Sequence, residues 1–308
     1  MKRYTCLILL CLAVGYVSRA QQNPLSTMFM TNPFVLNPAL AGTNNYFQVI
    51  SSNRFQWVGF TDAPITNSLS VYGPLVKYPM GWGGSICYDV SGPVSMGSVH
   101  GSYAYHYNIN EDMKISGGLN LGILQYRIDY AKIEMPVEGD PTMNAKENYY
   151  LPDANVGFYF WSSTYHAGLV FTHVLNNKIK IGDDPTGESR LKTHFYLTGG
   201  YKYYINREWA IEPSLVLKKV WPAPFQLDFN ARVWYRNMMW GGLSYRTQEA
   251  ISIMLGYTWD RKIYIGYSYD LVLNPLGAHN FGSHEIMLGL NIGLFEPEGI
   301  RKTSRKGS

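Results

Sequence analysis

The chain has 308 residues, of which 46% are hydrophobic and 15% aromatic, with 25 Tyr and a formal net charge of +4. Its charged share of 16% is well under the ~25% of ordinary soluble domains. This balance argues against a nucleic-acid-binding surface, and the length accommodates one large barrel.

Lys2 and Arg3 precede an apolar run from Cys6 to Val17, which Ser18, Arg19 and Ala20 follow. A basic start, a short apolar stretch and small residues at the first and third positions before Gln21 match a signal peptide over 1–20. The run is too short to cross a bilayer as a helix. Leu10 before Cys11 is bulkier than a lipid-modification site accepts, so cleavage after Ala20 is expected rather than acylation. Cys6 and Cys11 then leave with the signal, and Cys87 remains without a disulfide partner. Residues 21–45 carry Asn23-Pro24, Asn32-Pro33 and Asn37-Pro38-Ala39, followed by Ala41-Gly42. These dipeptides set turns. The segment reads as a periplasmic cap, a plug within the domain that follows, or a loose leader.

From about Tyr46 onward, apolar and polar residues alternate in segment after segment. About fourteen strands are predicted, near 46–58, 64–74, 81–89, 96–107, 113–128, 152–161, 165–175, 190–205, 209–219, 224–235, 238–246, 250–257, 263–270 and 284–294. In the fourth, Val99, Tyr103, Tyr105 and Tyr107 share one face, and Ser98, His100, Ser102 and His106 share the other. The fifth sets Ile115, Leu119, Leu121 and Ile123 against Lys114, Ser116 and Asn120. In the tenth, Leu227, Phe229, Ala231 and Val233 oppose Gln226, Asp228, Asn230 and Arg232. Strand side chains alternate between faces, so every segment has one apolar and one polar side. Repeated this often, with polar residues on the inner side, the pattern predicts an all-β fold: an antiparallel transmembrane barrel of the outer membrane over 46–295. The many aromatic residues suit girdles at the two membrane interfaces.

Connection lengths support the same fold. Long stretches at 129–151, 176–189 and 271–283 follow the fifth, seventh and thirteenth strands. Short polar turns around Ser163, Asn206-Arg207-Glu208 and Arg236-Asn237 follow the sixth, eighth and tenth. Long external loops and short periplasmic turns are the asymmetry of such barrels. Pro213 inside the ninth segment cannot donate to a ladder and predicts a bulge or a strand end there. The eleventh and twelfth segments are short for a membrane span.

On the inward phase, Glu212, Lys218, Asp228, Arg232, Arg246 and Asp270 come from neighbouring strands. Because the two signs are interleaved, a cross-linked, narrow interior is expected rather than the single-sign ring of a selective pore. No enzymatic activity is expected. His284 and Glu285 are adjacent on a strand and point to opposite faces, and no G-x-S-x-G elbow, H-E-x-x-H or Cys-rich spacing occurs. No catalytic residue, cofactor or metal site is assigned, and the Gly182-Asp183-Asp184 loop reads as a solvated loop. After Phe295, a polar tail over 296–308 holds Arg301, Lys302, Arg305 and Lys306, read as solvated or as a periplasmic docking strip.

Several short stretches resemble, in their order, the PorP/SprF family of Bacteroidetes outer-membrane proteins. They begin with Gln21-Gln22-Asn23-Pro24, Asn37-Pro38-Ala39 with Gly42, and Arg54-Phe55-Gln56-Trp57-Val58-Gly59. Ala63-Pro64-Ile65-Thr66, Leu151-Pro152-Asp153-Ala154-Asn155-Val156-Gly157 and His194-Phe195-Tyr196-Leu197 continue the series. Glu212-Pro213-Ser214, Gly266-Tyr267-Ser268-Tyr269-Asp270 and Gly282-Ser283-His284-Glu285-Ile286 complete it.

The resemblance implies an accessory outer-membrane component of the type IX secretion system, with gliding motility in some organisms. The implied partners are periplasmic ring components, including a lipoprotein, alongside outer-membrane lipids. Neither a nucleic acid nor a small-molecule substrate is implied. The alternative is a passive diffusion channel, because Asn37-Pro38-Ala39 near the mature N-terminus also resembles fatty-acid transporter barrels, whose N-terminal hatch plugs the lumen.

Overall fold

A computed structural model describes residues 26–132, 146–179 and 189–293. Fourteen antiparallel strands follow one another in chain order: β1 Phe47–Phe55, β2 Ile65–Leu75, β3 Met80–Ser91, β4 Val94–Asn108, β5 Lys114–Asp129, β6 Lys146–Trp161, β7 Tyr165–Thr172 and β8 His194–Tyr201 with its extension Tyr203–Tyr204; then β9 Trp209–Val220, β10 Gln226–Tyr235, β11 Met239–Arg246, β12 Ala250–Trp259, β13 Ile263–Val272 and β14 Ser283–Ile292. Each pairs with its neighbour in sequence. The last pairs with the first, from Phe47 opposite Ile292 to Phe55 opposite His284, so the sheet closes without an edge. Closure satisfies every ladder within the protein, which lets strands cross a bilayer.

The side chains are arranged inside out relative to a soluble barrel. Val99, Leu121, Ile123, Leu243, Ile253 and Leu255 are 53–59% exposed on the outer wall. Ser102, Asn120, Asp228, Asn230, Arg246, Ser252 and Ser268 are buried on the inner wall. An apolar belt around a polar interior is stable only with hydrocarbon outside. The phases read from the fourth, fifth and tenth segments are those observed.

Boundaries differ in informative places. β6 begins at Lys146 rather than 152, because Glu147 to Leu151 extend the ladder opposite Leu124 to Ile128. β7 stops at Thr172 because His173 takes a left-handed φ of 54° and turns the chain. The break expected at Pro213 appears in the neighbouring strand instead. β9 runs unbroken through Pro213 and pairs it with Ala231 of β10, whereas the β8–β9 ladder is interrupted at Tyr201 and Lys202, opposite Pro213 and Glu212. The eleventh and twelfth segments are both strands, although β11 has only 8 residues.

One set of ends carries uniformly tight turns, at 76–79, 109–113, 162–164, 205–208, 236–238 and 260–262. The opposite set holds the long connections, and also three short ones at 92–93, 221–225 and 247–249. Alternation of long with short is therefore not strict. The uniformly tight side is the periplasmic one, where both ends of the barrel also lie.

The plugged lumen and its two vestibules

Residues 26–45 do not lie outside the barrel. Met28, Phe34, Pro38, Ala39, Leu40 and Ala41 are buried within it, and several join the main apolar cluster with Ile50, Tyr72, Trp240, Met254 and Met287. Two short 3-10 turns, Pro33–Val35 and Pro38–Leu40, shape the segment. Each starts with Pro after Asn, and the Asn37 side chain caps the second turn by accepting from Ala39 N–H at 3.0 Å. Proline at the first position supplies the helical φ without wasting a donor.

Polar contacts hold this plug at both of its ends. At the outer end, Glu285 on β14 accepts from Ser26 Oγ at 2.5 Å, from Thr27 N–H at 2.8 Å and from Ser52 Oγ at 2.8 Å. Arg54 on β1 donates to Thr27 Oγ1 at 2.9 Å and pairs with Asp270 at 2.6 Å and Glu285 at 3.4 Å. Thr27 Oγ1 in turn donates to Asp270 at 2.8 Å. Farther along, Asn32 donates to Ser70 at 3.0 Å, and Asn37 donates to the Phe158 carbonyl at 3.0 Å. Phe34 stacks on Tyr72 with ring centroids 4.2 Å apart. The wall makes room for this backbone with glycine: a Cβ on Gly118 would lie 2.4 Å from Ala39 N.

All six inward charges expected from the sequence are buried, and the ion pairs they form run along the wall, between strands that are adjacent or one strand apart, rather than reaching across the lumen. Arg232 pairs with Glu212 at 2.9 Å, and Trp234 Nε1 donates to the other oxygen of that carboxylate at 2.7 Å. Arg246 pairs with Asp228 at 3.1 Å and with Glu249 at 2.9 Å. Lys218 lies over the Tyr196 ring at 5.9 Å. Asp270 belongs to the plug anchor. The narrowing comes chiefly from the plug, whose contacts with the wall join residues 27 to 259 positions apart and leave no local pattern. The sequence alone does not mark Arg54, Thr27 and Glu285 for this role; its one signal is a pair of charges, Arg54 and Glu285, on the inward phase of strands adjacent at the seam.

His284 and Glu285 point to opposite sides, with His284 outside against Tyr267 Oη at 2.7 Å and Glu285 in the anchor. Asp153 is 2% exposed and bridges His100 Nε2 and His173 Nδ1, each at 2.9 Å, which ties β4, β6 and the end of β7 together. Among the described residues no cluster of metal-ligating side chains occurs. Gly182-Asp183-Asp184, the signal segment and the tail over 296–308 lie outside the described residues.

The plug divides the lumen. An outer cavity of about 190 Å³ is floored by Phe29, Val35 and Leu36 of the plug and walled by Ser85, Cys87 and His100. A larger one of about 890 Å³ lies at the periplasmic mouth, bounded by the turns 236–238 and 260–262.

The family model for the type IX secretion system membrane protein PorP/SprF matches residues 18–290. The chain belongs to the PorP/SprF family. The match spans both the plug and almost all of the barrel, and together with the lipid-facing belt it places this PorP/SprF protein in the outer membrane as a component of type IX secretion. No curated protein matches the chain. Among solved structures, a KdgM porin is similar at 10% identity and a TM-score of 0.40, covering 80% of this chain and 99% of the porin. A Pseudomonas aeruginosa FadL homologue is 9% identical with a TM-score of 0.40, covering 80% and 87%. The CymD monoaromatic hydrocarbon channel is 10% identical with a TM-score of 0.47, covering 89% and 94%.

Proposed function

We propose that this PorP/SprF barrel is an accessory component of the type IX secretion machine that docks or anchors its periplasmic ring, including the ring's lipoprotein. The observation that carries the reading is the plug. A segment pinned through Glu285, Arg54 and Asp270 and packed across the interior leaves no through-path for a folded protein. A barrel of fourteen strands is also narrow before anything fills it. Among the described residues, the part of the molecule offered to the periplasm is a set of six tight turns, a face suited to contact rather than conduction. We assign it no enzymatic activity.

Affinity purification from native outer membranes in a gentle detergent tests this reading. Recovery of the ring lipoprotein and its companions supports docking. A barrel that comes down alone, while ring proteins are present in the same membranes, rejects it.

A second reading, a diffusion channel of the fatty-acid-transporter type, draws on the cavities on either side of the plug. It requires the plug to move, and it predicts solute uptake into liposomes by the purified barrel alone.

A further inference from the structure

The cavity at the periplasmic mouth, about 890 Å³, is within the range of about 300–1,000 Å³ typical of ligand sites. It opens to the aqueous periplasm, not to lipid. Four cations line it, Lys202, Arg232, Arg236 and Arg261, against Asp260 as the one carboxylate in the lining among the described residues. Two of these cations are already neutralised: Arg232 by Glu212 at 2.9 Å and Arg236 by Glu208 at 2.5 Å. Asp260 is engaged by Lys262 at 3.0 Å. Lys202 and Arg261 form no ion pair with any described residue.

Lys202 is held in place rather than left to swing. Its Nζ sits 4.7 Å over the Trp234 ring and 5.4 Å over Tyr204, and it donates to Asn237 Oδ1 at 3.0 Å. Arg261 stands on the turn between β12 and β13, with Asn291 donating to its carbonyl at 2.8 Å. Between these two cations lie β9, β10 and β11, on the order of 20 Å along the wall at one strand spacing each. They cannot close on one small anion. The neighbouring wall offers side-chain amides, where Gln48 donates to Asn291 at 3.2 Å, groups of the kind that pair with a peptide backbone. Spaced cations with amides beside them suit an extended chain bearing several carboxylates.

We propose that this vestibule receives an extended acidic peptide segment of a periplasmic partner. The proposal rests on the docking reading and names the chemistry of the contact: carboxylates to Lys202 and Arg261, and main-chain groups to the amide row. Distributed charge of one sign at a cavity mouth also speeds the arrival of the opposite sign.

The test uses the full barrel in nanodiscs and a fluorescein-labelled deca-glutamate peptide, with deca-lysine and a Gly-Ser decamer as comparisons, followed by anisotropy. Deca-glutamate should bind tightest, and binding should weaken as salt rises. The double variant Lys202→Glu/Arg261→Glu should lose about tenfold or more in affinity, whereas Arg127→Glu at the outer end should lose none. A heat-modifiable gel band verifies that each variant is folded. Equal binding of deca-lysine, or an unchanged affinity in the folded double variant, overturns the proposal. Co-purification separates it from the docking reading. Ring proteins retained by the double variant overturn the vestibule and leave docking intact, whereas ring proteins absent even from the wild type overturn docking and leave the peptide titration to decide the vestibule.

Discussion

Gly157 on β6 lies so close to Asn37 of the plug that a Cβ there would stand 2.0 Å from Asn37 Oδ1. That oxygen caps the second 3-10 turn, so the wall and the plug share a single fit. Gly157→Val should therefore push the plug out of its seat while leaving the ladders of β6 intact. The expected result is a folded, heat-modifiable barrel whose single-channel conductance in planar bilayers is severalfold above that of the wild type. An equal, low conductance in both would show that the plug is not what closes the lumen.

Arg54 is the only cation in contact with Asp270 and Glu285 among the described ion pairs. Removing one partner of a buried pair leaves the other charge without compensation, at a cost of about 3–5 kcal/mol. Arg54→Ala should lower the urea midpoint of the purified barrel accordingly, followed by tryptophan fluorescence, and Arg54→Lys should recover part of the loss. Equal midpoints for all three proteins would mean that the anchor does not stabilise the fold.

Leu121 faces outward near the middle of β5 and is 56% exposed. In a bilayer that exposure is to hydrocarbon, where an arginine costs about 2–4 kcal/mol near the midplane. Phe281 is 75% exposed but sits on an outer connection, where a charge meets water. Folding into vesicles should be impaired by Leu121→Arg and little affected by Phe281→Arg. Similar penalties for both would contradict the placement of the membrane belt.

Cys87 is a free thiol on the inner phase of β3 and lines the outer cavity, above the plug. A membrane-impermeant maleimide added to intact cells should reach it from outside, slowly in the wild type. Release of the plug anchor in Arg54→Ala should raise the rate severalfold. Labelling that requires entry from the periplasmic side would invert the orientation given to the barrel.

Period-two alternation made the barrel legible residue by residue, because lipid outside and polar groups inside demand opposite faces at every step. Val99 against His100 and Phe229 against Asp228 are read the same way in sequence and in structure. The start of β6 was hidden because Pro152 and the polar stretch before it look like a loop, yet Pro152 sits in the ladder opposite Ile123. Pro213 gave a correct warning in the wrong strand: the donor it lacks is missed by β8, not by β9 itself. Of the plug's seat, only the inward charges Arg54 and Glu285, facing each other at the seam, left a signal. Thr27 meets Asp270 and Asn37 meets Phe158, and no local periodicity records a contact between residues so far apart in the chain.

The seam between β1 and β14 couples closure of the wall to seating of the plug. The plug continues directly into β1, and the partner of β1 on that side is the last strand of the barrel. Glu285, which grips the plug, stands on that same last strand. Pairing of β14 with β1 thus has two results: it closes the cylinder, and it sets Glu285 where it locks the stopper. A barrel parted at this seam would lose its closed wall and the grip on its plug together.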